Sequence, residues 1–206
     1  MNYLTKTRVE AFSDGVFAII VTLLVLEIKV PHIEQHESVA ELGTALLGLL
    51  PKILSWIISF LIVCVIWVNH HRILAQVEHI THGLFWLNAL LLLWCSFIPF
   101  PTALMGDYLG NPLASFVFGC ILALMALTFS LIRWYALRNQ QVLKKTVDLS
   151  HYRRATTRSV VFGPSLYLLG GALAFVHTWL SMAVFAFIPL YFIVYSAASS
   201  VQSADE

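Results

Sequence analysis

Asp14 is a carboxylate inside a long apolar run. The segment Arg8–Val30, RVEAFSDGVFAIIVTLLVLEIKV, can cross a bilayer, since about 20 residues at 1.5 Å each span a ~30 Å hydrocarbon core. An ionisable residue at that depth costs roughly 2.5–3.5 kcal/mol unless it faces protein or water. Asp14 is therefore expected to point into the protein. The second apolar run ends in Trp67-Val68-Asn69-His70-His71, which reaches a similar level if the two runs are antiparallel. A hydrogen-bonded cluster of Ser13, Asp14, Asn69 and one histidine would satisfy every polar group there. It would act as a polar staple that fixes the first helix; the functional alternative is a proton relay or ion site. Arg8, near the membrane boundary, either joins this cluster or anchors the helix.

The other side of the same helix carries a different pattern. Phe12, Gly15, Ile19, Thr22 and Leu26 follow helical spacing, with Leu23 beside Thr22, and form a narrow apolar stripe with one hydroxyl in it. At 100° per residue, Asp14 lies about 140° around the helix from Ile19. Such a stripe either packs into a bundle core or faces an axis shared with other chains.

These segments must be held by a membrane protein. Of the 206 residues 59% are hydrophobic and 11% charged, and the mean hydropathy is +0.83; a soluble globular domain has about 25% charged residues. Six spans are expected, at about 8–30, 45–68, 84–103, 113–135, 158–176 and 179–198, in one all-α, polytopic domain covering 1–206. Gly163-Pro164 is expected to kink the fifth. The connection 138–158 reads as a solvated basic loop, or as a continuation of the fourth helix. The tail Gln202–Glu206 is expected to be disordered.

Lys and Arg set the orientation. All of them except Lys29 and Lys52 fall in the N-terminal segment, the second connection and the fourth connection. By the positive-inside rule both termini are cytoplasmic. The first connection is acidic, with Glu34, Glu37 and Glu41 at the opposite, outer side. Cys64, Cys95 and Cys120 all lie in apolar runs and read as small packing residues. His70, His71, His79 and His82 invite a metal reading, but no cysteine is near and Glu78 is the only acid, so no metal site is assigned. No nucleic-acid patch is evident.

Arg8, three residues, then Phe12-Ser13-Asp14 make an R-x-x-x-F-S-D signature at the head of a first transmembrane helix. With Trp67-Val68-Asn69-His70-His71 and the span count, this resembles the transmembrane protein 175 family of potassium channels. The resemblance implies that first helices from several subunits line a central pore, closed by Ile19, Leu23 and Leu26, with Thr22 as a polar layer. It implies a homotetramer, no cofactor, permeant potassium, and by analogy a prokaryotic plasma membrane. One arginine, Arg133, ends the fourth span; without an arginine ladder, no voltage sensor is expected. The alternative function is a proton-coupled secondary transporter using Asp14 and the nearby histidines. An intramembrane enzyme is excluded by the absence of paired carboxylates, Ser/Lys or Ser/His arrangements and HExxH.

Overall fold

The structure, a computed structural model, describes residues 5–202, with side chains as far as residue 194. Gln202 ends the last helix, and the rest of the expected tail, 203–206, lies outside the described residues. The described chain is helical: α1 (Lys6–Leu23), α2 (Val39–Gly48), α3 (Leu50–Gln76), α4 (His82–Phe97), α5 (Pro99–Asp107), α6 (Pro112–Arg138), α7 (Leu149–Leu173) and α8 (Thr178–Gln202). Short 3-10 turns follow α1 at Leu24–Glu27 and α6 at Gln140–Val142.

Among the described residues, four helical stretches are long and apolar enough to cross a membrane: Lys6–Glu27, Leu50–Gln76, His82–Asp107 and Pro112–Arg138. The chain is thus an all-helical, multi-pass membrane protein. Helix α7 has the length, at 25 residues, but its first turns carry His151, Arg153, Arg154 and Arg158.

Helix ends follow local chemistry. Ser38, Thr81 and Asn111 cap α2, α4 and α6 by accepting the N–H of Glu41, Leu84 and Leu113. Asp148 caps α7, accepting from the N–H groups of Ser150 and His151 at 2.8 and 3.3 Å. Hydrogen bonds from Ser150 and His151 hold its carboxyl below the usual range, so the cap stays ionised at neutral pH.

Three boundaries differ from expectation. The second span does not begin at Ala45. A separate helix, α2, ends at Gly48, and α3 starts anew at Leu50 with Pro51 in its first turn, where a missing N–H costs nothing. The third span is divided between α4 and α5, because Pro99 and Pro101 cannot donate to the preceding turn. In the fourth connection, α6 stops at Arg138 and α7 starts at Leu149, so much of the expected loop is the beginning of the fifth helix. Pro164 and Pro189 lie within α7 and α8 without ending either helix.

Close packing of α6 on α7 depends on missing side chains. A Cβ on Gly119 would lie 2.7 Å from the Tyr167 carbonyl oxygen and 2.9 Å from Gly171 Cα. Such small-residue contacts let membrane helices approach closely. At one end of the bundle Lys52 pairs with Asp107 at 2.5 Å, joining α3 to α5. At the other end, Lys6 Nζ donates to the Val77 carbonyl at 2.9 Å. Val77 in turn forms a single antiparallel bridge with Leu143, through Glu78 N–H to Val142 O and Lys144 N–H to Gln76 O. The start of α1, the connection after α3 and the basic connection after α6 therefore share one end.

Candidate functional site

Helix α1 divides into two faces. Val9, Ser13, Phe17, Ile20 and Leu24 are buried against the rest of the chain, at i, i+4 and i+3 steps. The opposite stripe is bare: Phe12 is 57% exposed, Ile19 58%, Leu23 44% and Leu26 66%, and Gly15 and Thr22 are exposed with them. The backbone tightens to a 3-10 turn at Leu24–Glu27, closed by Ile28 N–H to Val25 O at 3.0 Å. With three residues per turn, side chains three apart eclipse, so Leu26 follows Leu23 on one side.

Thr22 is the one hydroxyl on this stripe. Its Oγ1 lies 2.8 Å from the Ile19 carbonyl and 3.1 Å from that of Ala18. The hydroxyl proton is thus spent on the helix, which leaves oxygen lone pairs to turn toward a cation. Arg8 lies about 20° from Ile19 around the helix, at the start of the same stripe. It is exposed and, among the described residues, has no ion pair with Asp14.

The polar bracket behind α1 differs from the expected cluster. Ser13 is buried, but its partners are Asn88 and Val9: Asn88 Nδ2 donates to Ser13 Oγ at 2.9 Å, and Ser13 Oγ donates to Val9 O at 2.8 Å. His70 is buried too, with Nε2 2.6 Å from Asn88 Oδ1 and its ring 5.4 Å from that of Phe17. Donor directions fix the histidine: Asn88 uses its NH2 on Ser13, so its carbonyl oxygen faces His70, and Nε2 must carry a proton. One line of hydrogen bonds thus ties α1, α3 and α4 together.

Asp14 is not part of it. The expectation that it points into the chain is corrected: Asp14 is exposed on the single chain, where Trp67 Nε1 donates to its Oδ1 at 2.8 Å. Position 13 holds the centre of the buried face, and the next residue, 100° on, falls at its edge. Asn69 does not join either, since its Nδ2 bonds the Val65 carbonyl within α3. His71 is exposed, with its ring 6.4 Å from that of Trp67. Two separate contacts replace the single cluster. Asn88 was missed by sequence reasoning, although a carboxamide inside the apolar run Leu84–Phe97 was a visible signal. The histidines also separate, with His70 buried and His79 and His82 exposed. Among the described residues no three His, Cys, Asp or Glu side chains converge on a metal position.

The arrangement is a rigidly backed helix that presents an apolar stripe with one hydroxyl layer to whatever lies outside the single chain. Comparison with known proteins gives that stripe a context. The family described as endosomal/lysosomal potassium channel TMEM175 matches residues 8–99. A Chamaesiphon minutus protein named as a potassium channel is 43% identical over 196 residues, 93% of this chain and 95% of that one. A crystal structure described as a lysosomal potassium-selective channel TMEM175 homolog from the same organism aligns with a TM-score of 0.80 at 40% identity. The match covers 93% of this chain and 97% of that one. A Gallus gallus protein named as an endosomal/lysosomal proton channel is 26% identical over 98% of this chain, which spans 42% of its length.

Proposed function

The chain belongs to the TMEM175 family, whose members are ion channels and not enzymes, and from that premise we propose that it is a passive, potassium-selective cation channel. Four copies form a symmetric ring, because one chain supplies one first helix and a closed ring is the usual form of a homo-oligomer. Each chain crosses the membrane six times, with α7 and α8 as the fifth and sixth spans and both termini in the cytoplasm of a prokaryotic cell. The shared basic end formed by Lys6 and the connections at Val77 and Leu143 supports that orientation.

The observation that carries the reading is the bare stripe on α1. Three apolar positions, Ile19, Leu23 and Leu26, are exposed on a helix whose opposite side, Val9, Ser13, Phe17, Ile20 and Leu24, is buried. Rings of these side chains form hydrophobic constrictions, which gate by dewetting because methyl groups cannot solvate a cation. Thr22 supplies a ring of oxygens between them. No carbonyl-lined filter segment is present in the sequence, so discrimination between potassium and sodium is modest. Voltage independence follows from the lack of an arginine ladder. Of the motif residues, Ser13 and His70 through Asn88, and Asp14 through Trp67, set the angle of α1, while Asn69 and His71 stay with α3 and Arg8 and Phe12 stand on the bare stripe at the cytoplasmic entrance.

Single-channel recording from reconstituted protein tests this. Ohmic steps carried by potassium in preference to sodium, without steep voltage dependence, are expected. Thr22→Val should lower the potassium-to-sodium ratio by roughly five-fold, the effect of about 1 kcal/mol for a lost oxygen contact. Slow, saturating flux without steps would instead favour a proton-coupled transporter built on Asp14.

A further inference from the structure

We propose that the corner between α6 and α7 binds the phosphate headgroup of an anionic phospholipid. Arg138, Lys144, Lys145, Arg153, Arg154 and Arg158 are all exposed there. The only acid in that stretch is Asp148, which is occupied as the α7 cap. Among the described residues none of these cations makes an ion pair. Beside them Arg133 is partly buried with no carboxylate. Its Nε reaches Thr156 Oγ1 at 3.4 Å, and its guanidinium carbon lies 4.7 Å from the centre of the Tyr152 ring. The Tyr152 hydroxyl is buried and has no hydrogen-bond partner among the described residues. The terminal nitrogens of Arg133 likewise make no hydrogen bond there, and a planar guanidinium fork suits phosphate oxygens.

Position along the helices selects lipid over other anions. On α7 the exposed face runs from Arg154 and Arg158 directly into Phe162, 67% exposed, and then Leu166 and Leu169. On α6, Trp134 is 46% exposed and carries the Arg138 guanidinium 4.8 Å over its ring. Tryptophan at this boundary marks headgroup depth. Cations that cap a bare apolar wall match one molecule with a phosphate at one end and acyl chains at the other. A basic patch of this kind attracts anionic lipid by about 1 kcal/mol per Lys or Arg.

The test is native mass spectrometry of the full-length protein in detergent, titrated with phosphatidylglycerol or phosphatidylcholine. Wild type should retain phosphatidylglycerol in preference. Arg154→Gln/Arg158→Gln, which alters exposed side chains only, should bind it roughly five-fold more weakly per arginine removed. Lys144→Gln/Lys145→Gln should weaken it in the same direction, and Lys29→Gln, away from this corner, should leave it unchanged. Equal retention of the two lipids would overturn the proposal, as would equal losses in Lys29→Gln. Displacement of phosphatidylglycerol by millimolar inorganic phosphate would also overturn it, by assigning the corner to a free anion.

Discussion

Replacing Ile19 with asparagine is expected to raise potassium flux through reconstituted protein by about ten-fold or more and to reduce its preference over sodium. The side chain is 58% exposed on the single chain and contributes little to its core, so the substitution should not unfold the protein. A ring of four carboxamides in the proposed assembly would keep the constriction wet and offer oxygens to a passing cation. Lowering the permeation barrier by only about 1.4 kcal/mol accounts for a ten-fold gain. Val21→Asn is the control. Val21 is half-buried and lies about 160° around α1 from Ile19, so flux should stay at the wild-type level. Proteoliposome flux assays with both cations distinguish these outcomes.

Asn88→Leu is expected to have the largest effect on stability. Asn88 is 3% exposed and accepts from His70 while donating to Ser13. Leucine fills similar space but leaves the buried His70 N–H without an acceptor, and an orphaned buried donor costs about 1–3 kcal/mol. Loss of the bond to Ser13 adds roughly another 1 kcal/mol and frees α1 from α4. Thermal unfolding in detergent should therefore shift down by several degrees, with partial loss of the assembled form on size-exclusion chromatography. Ser13→Ala should cost less, because Asn88 keeps its bond to His70. Equal stability of Asn88→Leu and wild type would mean that the line from α1 to α3 does not hold the helix.

The long apolar runs could be read from the sequence because a span of about 20 residues leaves a signal that no nearby residue disguises. The expected runs fall largely on helices, although the second is divided between α2 and α3 and the third between α4 and α5. Tertiary partners were less legible. Ser13 and Asp14 are neighbours in the chain and were assigned to one cluster, yet a helix turns them 100° apart and gives them different neighbours. His70 was a candidate partner, but the residue linking it to Ser13 comes from α4, and nothing in the R-x-x-x-F-S-D stretch encodes that crossing. Helix α2 and the break at Leu49 were hidden because Leu46–Leu50 is apolar throughout, so the break shows only in Gly48 and Pro51. The basic stretch after Arg138 looked like a loop by charge alone. Its helix is set by the Asp148 cap and by Tyr152 and Thr156, which pack inward while the arginines face out.

The central claim is that the Ile19 side of α1 faces the conduction path, and thiol block at that position tests it most directly. Ile19→Cys protein would be reconstituted and its potassium current recorded before and after a water-soluble, charged thiol reagent. The native cysteines provide a quiet background, since Cys95 is buried and Cys64 and Cys120 are half-buried. Current through Ile19→Cys should fall to near zero on treatment while wild-type current is unchanged. Undiminished current in Ile19→Cys, with mass spectrometry showing the introduced thiol modified, would place the conduction path on another face of the protein.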